Sequence, residues 1–289
     1  MDILVKKYDG SMEKFNRDKL AQSIKKNGGP AEIVDEVCNY LKKENITKIT
    51  TEKVYKITRD FLKKRDKSAY LKYNLPLAIS RLGPEGFAFE KFVGEVFEAY
   101  DYKPVYVGKK IQGKCVIHEM DIVAYKNNKI LTAELKFHNS RSKKSDLKVV
   151  LYMKARFDDI VDGGFYENKT PRQVIITNTK FTYNARNFAK CAGVEVLAWN
   201  YPESNNLYNF ILKSGVHPIT AISAIPQKAI GDFIKRKIVS CRGVLKNNHK
   251  ELKNNFLIPK EKIPEILKEI KAVCDFSEQE KNNFNLQQY

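Results

Sequence analysis

The stretch HEMDIVAYKNNKILTAELKF, residues 118–137, decides the fold of the middle of this chain. Two apolar runs, IVAY and ILTA, flank the dipeptide Asn127-Asn128, and asparagine tolerates the left-handed backbone of tight turns. The pattern predicts a β-hairpin. Asp121 precedes the first run and Glu134 follows the second, so acidic groups interrupt strands that are otherwise apolar, where polar groups need a reason.

The acidic residues of this hairpin predict a metal site. Side chains alternate along a strand, so Glu134 and Lys136 point to the same face, and Asp121 can approach them from the partner strand. Carboxylate oxygens suit Mg²⁺ or Mn²⁺, which can polarise a phosphoryl group while Lys136 orients the nucleophile. The alternative is an exposed hairpin edge with an ordinary Glu–Lys pair.

Helices and strands alternate around the hairpin. The segment GFAFEKFVGEVFEAYDY, from residue 86, has an apolar helical face and carries Glu90. Such alternation predicts an α/β fold with a central mixed sheet flanked by helices. The other predicted elements are a short strand 103–107, a helix 146–162, a strand 173–177, a helix 183–192 and a strand 194–199.

The N-terminal part has a different pattern. A hairpin turning at Asp9-Gly10 precedes a helix over 17–27 that Asn16 can cap. Three more helices follow, the second entered at Pro30 and the third capped by Thr50 or Thr51. Beyond residue 215 we expect only helices, at 226–239 and 260–274. The predicted domains are therefore 1–83, 84–214 and 215–289, the last of unknown role.

The chain is strongly basic, with 52 Lys and Arg against 34 Asp and Glu and a net charge of +18. Such a field favours polyanionic partners, although charge that only maintains solubility is the alternative. The basic run at 141–148, followed by Tyr152 and Arg156, can contact a DNA backbone or can be a solvated face. The five dispersed cysteines indicate reduced thiols. No apolar run predicts a membrane span or a signal peptide, so we expect a cytoplasmic protein.

Four segments in order resemble Mrr-type restriction endonucleases and archaeal Holliday-junction resolvases: GFAFEKFVGEVFEAYDYKP, HEMDIVAY, LTAELKF and VIITNTKFTYNARNFAKCAGVEVLAW, within residues 86–212. The resemblance implies a restriction-endonuclease-like PD-(D/E)xK fold. It makes Asp121 and Glu134 metal ligands, Lys136 the catalytic lysine and Glu90 a helix acid that supports the metal. Met120 stands where the motif's name has proline, and the ExK strand lacks a Gln-x-Lys extension.

The segment VKKYDGSMEKFNRDKL with the helices after it, residues 3–82, is similar to the ATP-cone, a nucleotide-sensing domain of ribonucleotide reductases and their transcriptional repressor. Tyr8 replaces the second basic residue of the usual pair. The alternative is a basic docking domain without ligand. By the resemblance, the adenine-nucleotide site is lined by Val5, Lys7, Glu13, Asn16, Lys19 and Thr50.

Together these patterns lead us to expect a Mg²⁺-dependent (or Mn²⁺-dependent) DNA endonuclease regulated by ATP or dATP. A homo-oligomer whose state responds to nucleotide is part of the expectation. Two alternatives stay open: a nucleotide-responsive DNA-binding regulator that does not cleave, and an RNA-processing nuclease.

Overall fold

A computed structural model describes residues 2–8, 10–83, 86–246 and 258–282. Asp9 of the expected hairpin turn, Pro84 and the Asn/Gln-rich end from residue 283 lie outside these ranges. The chain divides into two compact units, Met1–Leu77 and Ala78–Tyr289, whereas the sequence suggested a boundary after residue 83.

The first unit contains a three-stranded sheet in the order β2-β1-β3. Strand β1 (Leu4–Lys6) pairs antiparallel with β2 (Met12–Lys14), which confirms the predicted hairpin. It also pairs in parallel with β3 (Lys48–Thr50), a strand that the sequence pattern did not predict. Val5, in the middle of β1, lies opposite Glu13 and Ile49.

Four helices complete this unit, as predicted. Asn16 caps the first, because its side chain accepts the backbone N–H of Lys19, and Thr50 caps the third by accepting that of Lys53. Their apolar faces form the core of the unit with residues such as Ile33 and Leu62. The helices are α1 (Arg17–Lys26), α2 (Glu32–Lys43), α3 (Thr51–Arg65) and α4 (Lys67–Ser80).

The second unit has a mixed sheet, as predicted, and it consists of five strands in the order β10-β8-β6-β5-β4. Neighbours β4, β5 and β6 are antiparallel, whereas β6, β8 and β10 are parallel. The strands are β4 (Val105–Gln112), β5 (Ile117–Lys126), β6 (Lys129–Lys136), β8 (Thr170–Thr177) and β10 (Glu195–Leu197). A separate two-stranded ladder joins β7 (Lys144–Ser145) to β9 (Lys180–Phe181).

Helices flank this sheet. Helix α6 (Leu147–Asp162) and helix α7 (Tyr183–Cys191) bury apolar residues in one core cluster with Met120, Val123 and Ile130 of the sheet. Helix α5 (Phe87–Ala99) runs past β4 so closely that a Cβ on Gly94 would lie 3.3 Å from the Val107 side chain. The expected strand at 103–107 was too short, since β4 extends to Gln112.

The C-terminal region is helical, as expected, with different bounds. The predicted helix 226–239 is shorter and is followed by another, and the predicted helix 260–274 begins later and extends further. The elements are α8 (Leu207–Ser214), α9 (Gln227–Lys235), α10 (Cys241–Lys246) and α11 (Ile263–Asn282). Within the described residues, no helix is long and apolar enough to cross a membrane.

Candidate active site

The predicted acidic residues lie where strands β5 and β6 separate. The two strands pair from Lys126 and Lys129, beside the turn, as far as Ile122 and Ala133. Beyond that pair a side-chain hydrogen bond takes the place of the backbone hydrogen bonds between the strands. Oδ2 of Asp121 accepts the backbone N–H of Leu135 at 2.6 Å. We call this point, formed by Asp121 of β5 with Glu134, Leu135 and Lys136 of β6, the strand fork.

A glycine opposite Asp121 accompanies the separation. Val107 and Lys109 of β4 pair with residues 122 and 120 of β5, but Gly108 between them has no ladder pair and has φ +66°. Met120 and Val123 lie in the same core cluster although residues three apart in a regular strand point to opposite faces. The alternation therefore breaks at Asp121, as it does at β-bulges beside active sites.

Glu134 is buried at the fork between two cations. Its Oε1 lies 2.5 Å from the Nζ of Lys136, and its Oε2 lies 3.1 Å from the Nη1 of Arg156 on α6. Arg156 also donates through Nη2 to the backbone carbonyl of Glu119 on β5. Each carboxylate oxygen of Glu134 thus faces a positively charged side chain.

Glu90 of α5 completes a group of neighbouring carboxylates. Burial, reinforced by the negative charges of Asp121 and Glu134, raises the pKa of Glu90 to about 7. Burial and the charge of Glu134 likewise raise the pKa of Asp121 to about 6, opposed by the hydrogen bond from Leu135. The structure brings Glu90, Asp121, Glu134 and Lys136 into one neighbourhood, and their roles remain predictions.

The donor chemistry of this group fits a hard divalent cation. Concentrated negative charge that is costly to bury is what a cation would offset. Among the described residues no three His, Cys, Asp or Glu side chains are close enough together to chelate an ion. Magnesium is usually held by one or two carboxylates, with waters and substrate phosphates in the other positions, so Asp121 and Glu134 are a sufficient protein set.

His118 makes a structural contact with helix α6. Its Nε2 lies 2.8 Å from Oδ2 of Asp159, on the last turns of α6. Burial acts to raise the pKa of Asp159, but hydrogen bonds from His118 and from Cys115 and Val116 lower that pKa to about 2. Asp159 therefore ties the tip of the β4–β5 hairpin to α6.

A cavity of about 350 Å³ in the same unit lies away from this chemistry. It is bounded by β8, β10, α5 and α8, and at its rim Arg172 pairs with Glu195. It contains none of the predicted site residues. Its lining consists of Phe97, Arg172, Val174, Glu195, Val196, Leu197, Pro202, Asn205 and Phe210.

The predicted nucleotide residues gather around strand β1 of the first unit. The Nζ atoms of Lys7 and Lys19 lie 2.6 and 2.9 Å from the same oxygen, Oε2 of Glu13. Hydrogen bonds from Lys7 and then Lys19 lower the pKa of Glu13. Val5 is buried opposite Glu13 on the adjoining strand.

The two other predicted nucleotide residues serve as helix caps. Asn16 precedes α1 and places Lys19 in its first turn, and Thr50 lies opposite Lys6 in the parallel register before α3. Tyr8, which replaces a basic residue of the resembling pattern, is 45% exposed. The residues that the sequence predicted for the nucleotide site therefore lie together around β1. That they bind a nucleotide stays a prediction.

Sequence reasoning missed two features of the fork. It placed Arg156 on a surface that either contacts DNA or is merely solvated, although Arg156 borders the buried stripe of α6 between Met153 and Phe157. It also passed over Gly108, although a glycine inside an alternating strand indicates a bulge or a close approach. That signal was available in VYVGKKIQ, residues 105–112.

Comparison with known proteins identifies two parts of the chain. Residues 3–75 match the family described as the ATP cone domain, and residues 217–274 match the family described as AF1548-like, C-terminal. The first match confirms the ATP-cone expected from the sequence. The second covers the region to which sequence reasoning assigned no role.

Relatives come from an archaeon and carry no functional description. An uncharacterized protein of Archaeoglobus fulgidus is 33% identical over 163 residues, covering 56% of this chain and 89% of that protein. The crystal structure titled "Protein of Unknown Function AF1548" superposes with a TM-score of 0.54 at 27% identity, covering 66% of this chain and 99% of that one. The chain therefore belongs to the AF1548-like family and carries an ATP-cone in front of it.

Proposed function

We propose that this protein is a Mg²⁺- or Mn²⁺-dependent DNA endonuclease whose activity responds to an adenine nucleotide bound by the ATP-cone. One observation supports the chemistry above all: at the strand fork, the sheet opens to bring Asp121, Glu134 and Lys136 together, with Glu90 approaching from α5. Carboxylates and a lysine at the separating ends of two strands suit phosphodiester hydrolysis.

Each residue has a part in the proposed reaction. Asp121 and Glu134 would hold the cation, with Glu90 supporting them from the helix. When bound, the cation supplies Lewis-acid polarisation of the phosphate. Lys136, already 2.5 Å from Glu134, orients the attacking water and offsets negative charge that develops on the phosphate.

DNA is the proposed substrate on two grounds. The net charge of +18 favours a polyanion, and the ordered motifs of residues 86–212 resemble DNA-cleaving enzymes. Exposed basic and aromatic residues also lie on or just before α6, the helix that carries Arg156, namely Lys143, Lys144, Lys148 and Tyr152. Contacts of this type position a nucleic-acid backbone without reading its sequence.

Regulation by nucleotide rests on the ATP-cone. Lys7 and Lys19 are two ammonium groups within reach of one point, and such pairs bind phosphate oxygens through charge-assisted hydrogen bonds. ATP or dATP is therefore the regulatory ligand in the proposal. Nucleotide binding is expected to change the oligomeric state, which sedimentation velocity with and without ATP measures.

The cleavage test uses the full chain on linear, supercoiled and junction DNA, with Mg²⁺, Mn²⁺ or EDTA. We expect cleavage of at least one form that EDTA abolishes. Lys136→Ala should reduce the rate by roughly 10²- to 10³-fold, as loss of one charge-stabilising donor does. Lys129→Ala is the matched control, because Lys129 is exposed at the opposite end of the same strand.

Two outcomes would remove the enzyme proposal. Intact DNA in every form with both metals is one, and equal cleavage by wild type and Lys136→Ala, which would indicate a contaminating nuclease, is the other. Adding ATP and dATP separately to the same reactions tests regulation. Unchanged rates with measurable nucleotide binding would contradict it.

A nucleotide-responsive DNA-binding regulator is the second candidate. One observation favours it: both oxygens of Glu134 are paired with Lys136 and Arg156, so that the protein's own cations offset the charge of this carboxylate. DNA binding in EDTA with wild-type affinity, without cleavage in metal, would select it. An RNA-processing nuclease remains a third candidate, which competition between DNA and RNA substrates tests.

A further inference from the structure

Arg156 bridges the strand fork. Helix α6 presents Tyr152, Arg156 and Asp159 along one flank of its buried stripe. The pairing of strands β5 and β6 ends at Ile122 and Ala133. Beyond that pair Arg156 contacts both strands, Nη2 on the carbonyl oxygen of Glu119 and Nη1 on the carboxylate of Glu134.

The guanidinium is fixed independently of Glu134. Its Nη2 is held by the Glu119 carbonyl, its central carbon lies 5.6 Å from the ring centroid of Tyr152, and Nη1 lies 3.5 Å from the sulfur of Met153. The Arg156 side chain is only 12% exposed. Loss of the contact with Glu134 would therefore leave the group in place and free one N–H of Nη1.

A cation that binds Glu134 must share its oxygens with Lys136 and Arg156. At 3.1 Å the Arg156 contact is the longer of the two, and it meets Oε2, the oxygen that Lys136 does not hold. Once Glu134 binds a cation, its Oε2 would no longer accept from Arg156, whose guanidinium stays held by the Glu119 carbonyl and the Tyr152 ring. The freed N–H then lies at the fork, where negative charge develops on the substrate.

We propose that Arg156 is a further catalytic residue, which pairs with Glu134 and would donate to the scissile phosphate once that carboxylate binds a divalent cation. This inference rests on the proposed nuclease function. Arginine suits the role because its planar group presents several donors in a fixed geometry that matches phosphate oxygens, and it is always charged.

The proposal predicts that loss of Arg156 changes metal affinity and cleavage rate in opposite directions. Removing Arg156 removes a competitor for Glu134, so the metal ion binds more tightly. It also removes a donor to the phosphate, so cleavage becomes slower. A residue that only maintained the shape of the fork would, when lost, weaken metal binding and slow cleavage together.

The test compares Arg156→Gln and Arg156→Lys with wild type in the full chain. Mn²⁺ titration by calorimetry, without DNA, measures metal affinity. Single-turnover cleavage at saturating Mn²⁺ measures the chemical step. We expect Arg156→Gln to bind Mn²⁺ roughly fivefold more tightly, given partial screening of the charge, and to cleave about 10²-fold more slowly.

The lysine variant controls for charge and for folding. Arg156→Lys keeps the positive charge, so Mn²⁺ affinity should stay near that of wild type, but it loses the fork of donors, so cleavage should fall about tenfold or more. Lys154→Gln is the matched control, because it removes one charge from the same helix at a residue that pairs with Asp158. It should change neither quantity.

The outcomes separate this inference from the function on which it rests. Wild-type cleavage rates in both Arg156 variants, or weaker Mn²⁺ binding by Arg156→Gln, overturn the role of Arg156 and leave the nuclease proposal intact. Absence of cleavage by wild type, with any metal and any DNA, overturns both.

Discussion

The two units hold carboxylates in opposite electrostatic states. In the first, Glu13 is shared by Lys7 and Lys19 at the surface, and these hydrogen bonds lower its pKa. In the second, burial and neighbouring carboxylates raise the pKa of Glu90 to about 7 and that of Asp121 to about 6. The carboxylate of the first unit is thus surrounded by more positive charge than it carries negative charge. In the second unit the positive charge nearby is smaller than the negative charge of the carboxylates.

This difference in charge balance is the basis for the ligand proposed for each cluster. Two lysines around one carboxylate leave a surplus of positive charge, which suits a phosphate-bearing nucleotide. Three carboxylates near Lys136 and Arg156 leave a surplus of negative charge in a buried setting, which suits a cation. Four predictions test the contrast.

The largest effect is expected at the lysine-rich cluster. Lys19→Ala should weaken ATP binding by about 10- to 100-fold, because it removes a hydrogen bond between charged partners. Lys25→Ala, in the last turn of the same helix, should leave affinity within about twofold of wild type. Calorimetric titration of ATP into the full chain measures both, and equal affinities for all three proteins would show that nucleotide does not use this cluster.

The second prediction concerns the geometry that concentrates the carboxylates. Gly108→Ala should lower the Tm by about 2–8 °C, because a side chain at φ +66° costs roughly 1–2 kcal/mol. Space is not the cause, since the added Cβ would lie 3.5 Å from Glu119 Oε1. Gly231→Ala, inside α9 with open space around it, should instead raise Tm slightly. A Gly108→Ala protein as stable as wild type would show that the fork does not depend on this conformation.

The third prediction concerns pH in the absence of metal. Because burial and neighbouring charges raise the pKa of Glu90 from 4.5 to about 7, the folded protein binds this proton more tightly than the unfolded chain. The resulting stability is complete below pH 4.5 and is lost as pH rises towards 7 and above. Glu90→Gln should therefore raise stability at pH 8, by on the order of 1 kcal/mol after allowance for partial exposure, but not at pH 4.5.

Thermal melts in EDTA at the two pH values measure this effect. Glu98→Gln is the control, because Glu98 is exposed on the same helix. Saturating Mg²⁺ should stabilise wild type at pH 8 and reduce the advantage of Glu90→Gln. An identical pH profile for Glu90→Gln and wild type would show that Glu90 does not experience its neighbours' charge.

The smallest effect is expected for Glu13→Gln. Exposed ion pairs contribute little to stability, so the Tm at pH 7 should be nearly unchanged. Because hydrogen bonds from Lys7 and Lys19 lower the pKa of Glu13 below 4.5, its small contribution is present above that pH and is lost as pH falls below it. A large loss of Tm at pH 7 would mean that the surface cluster is structural, and the contrast between the units would fail.

Local signals explain what the sequence predicted well. Asn127 adopts φ 51°, and the Asn127-Asn128 turn sets the register that aligns Asp121 with the start of the fork. Asn16 caps α1, as expected from its side chain. Each of these features depends on a few adjacent residues, so the pattern that predicts it is contained in one short stretch.

The sequence did not predict features that depend on contacts between distant segments, because no single short stretch contains their pattern. Strand β3 has three residues, and its pairing with β1 joins positions more than forty residues apart. The contact of Arg156 with Glu134 depends on how α6 lies across the sheet, which helical periodicity does not encode. Only the three-dimensional arrangement shows that α6 brings Arg156 to the Glu134 of the hairpin.

The hydrogen bond from Leu135 to Asp121 has a consequence for how this family is compared across genomes. Since the Asp121 carboxylate closes the sheet where the ladder ends, a homologue without any nuclease activity would still need an acceptor at that position. Retention of that aspartate alone therefore says little about activity. Under the proposed function Lys136 and Arg156 are the informative positions, since their joint loss beside a retained Asp121 would mark a homologue that keeps the scaffold without the proposed chemistry.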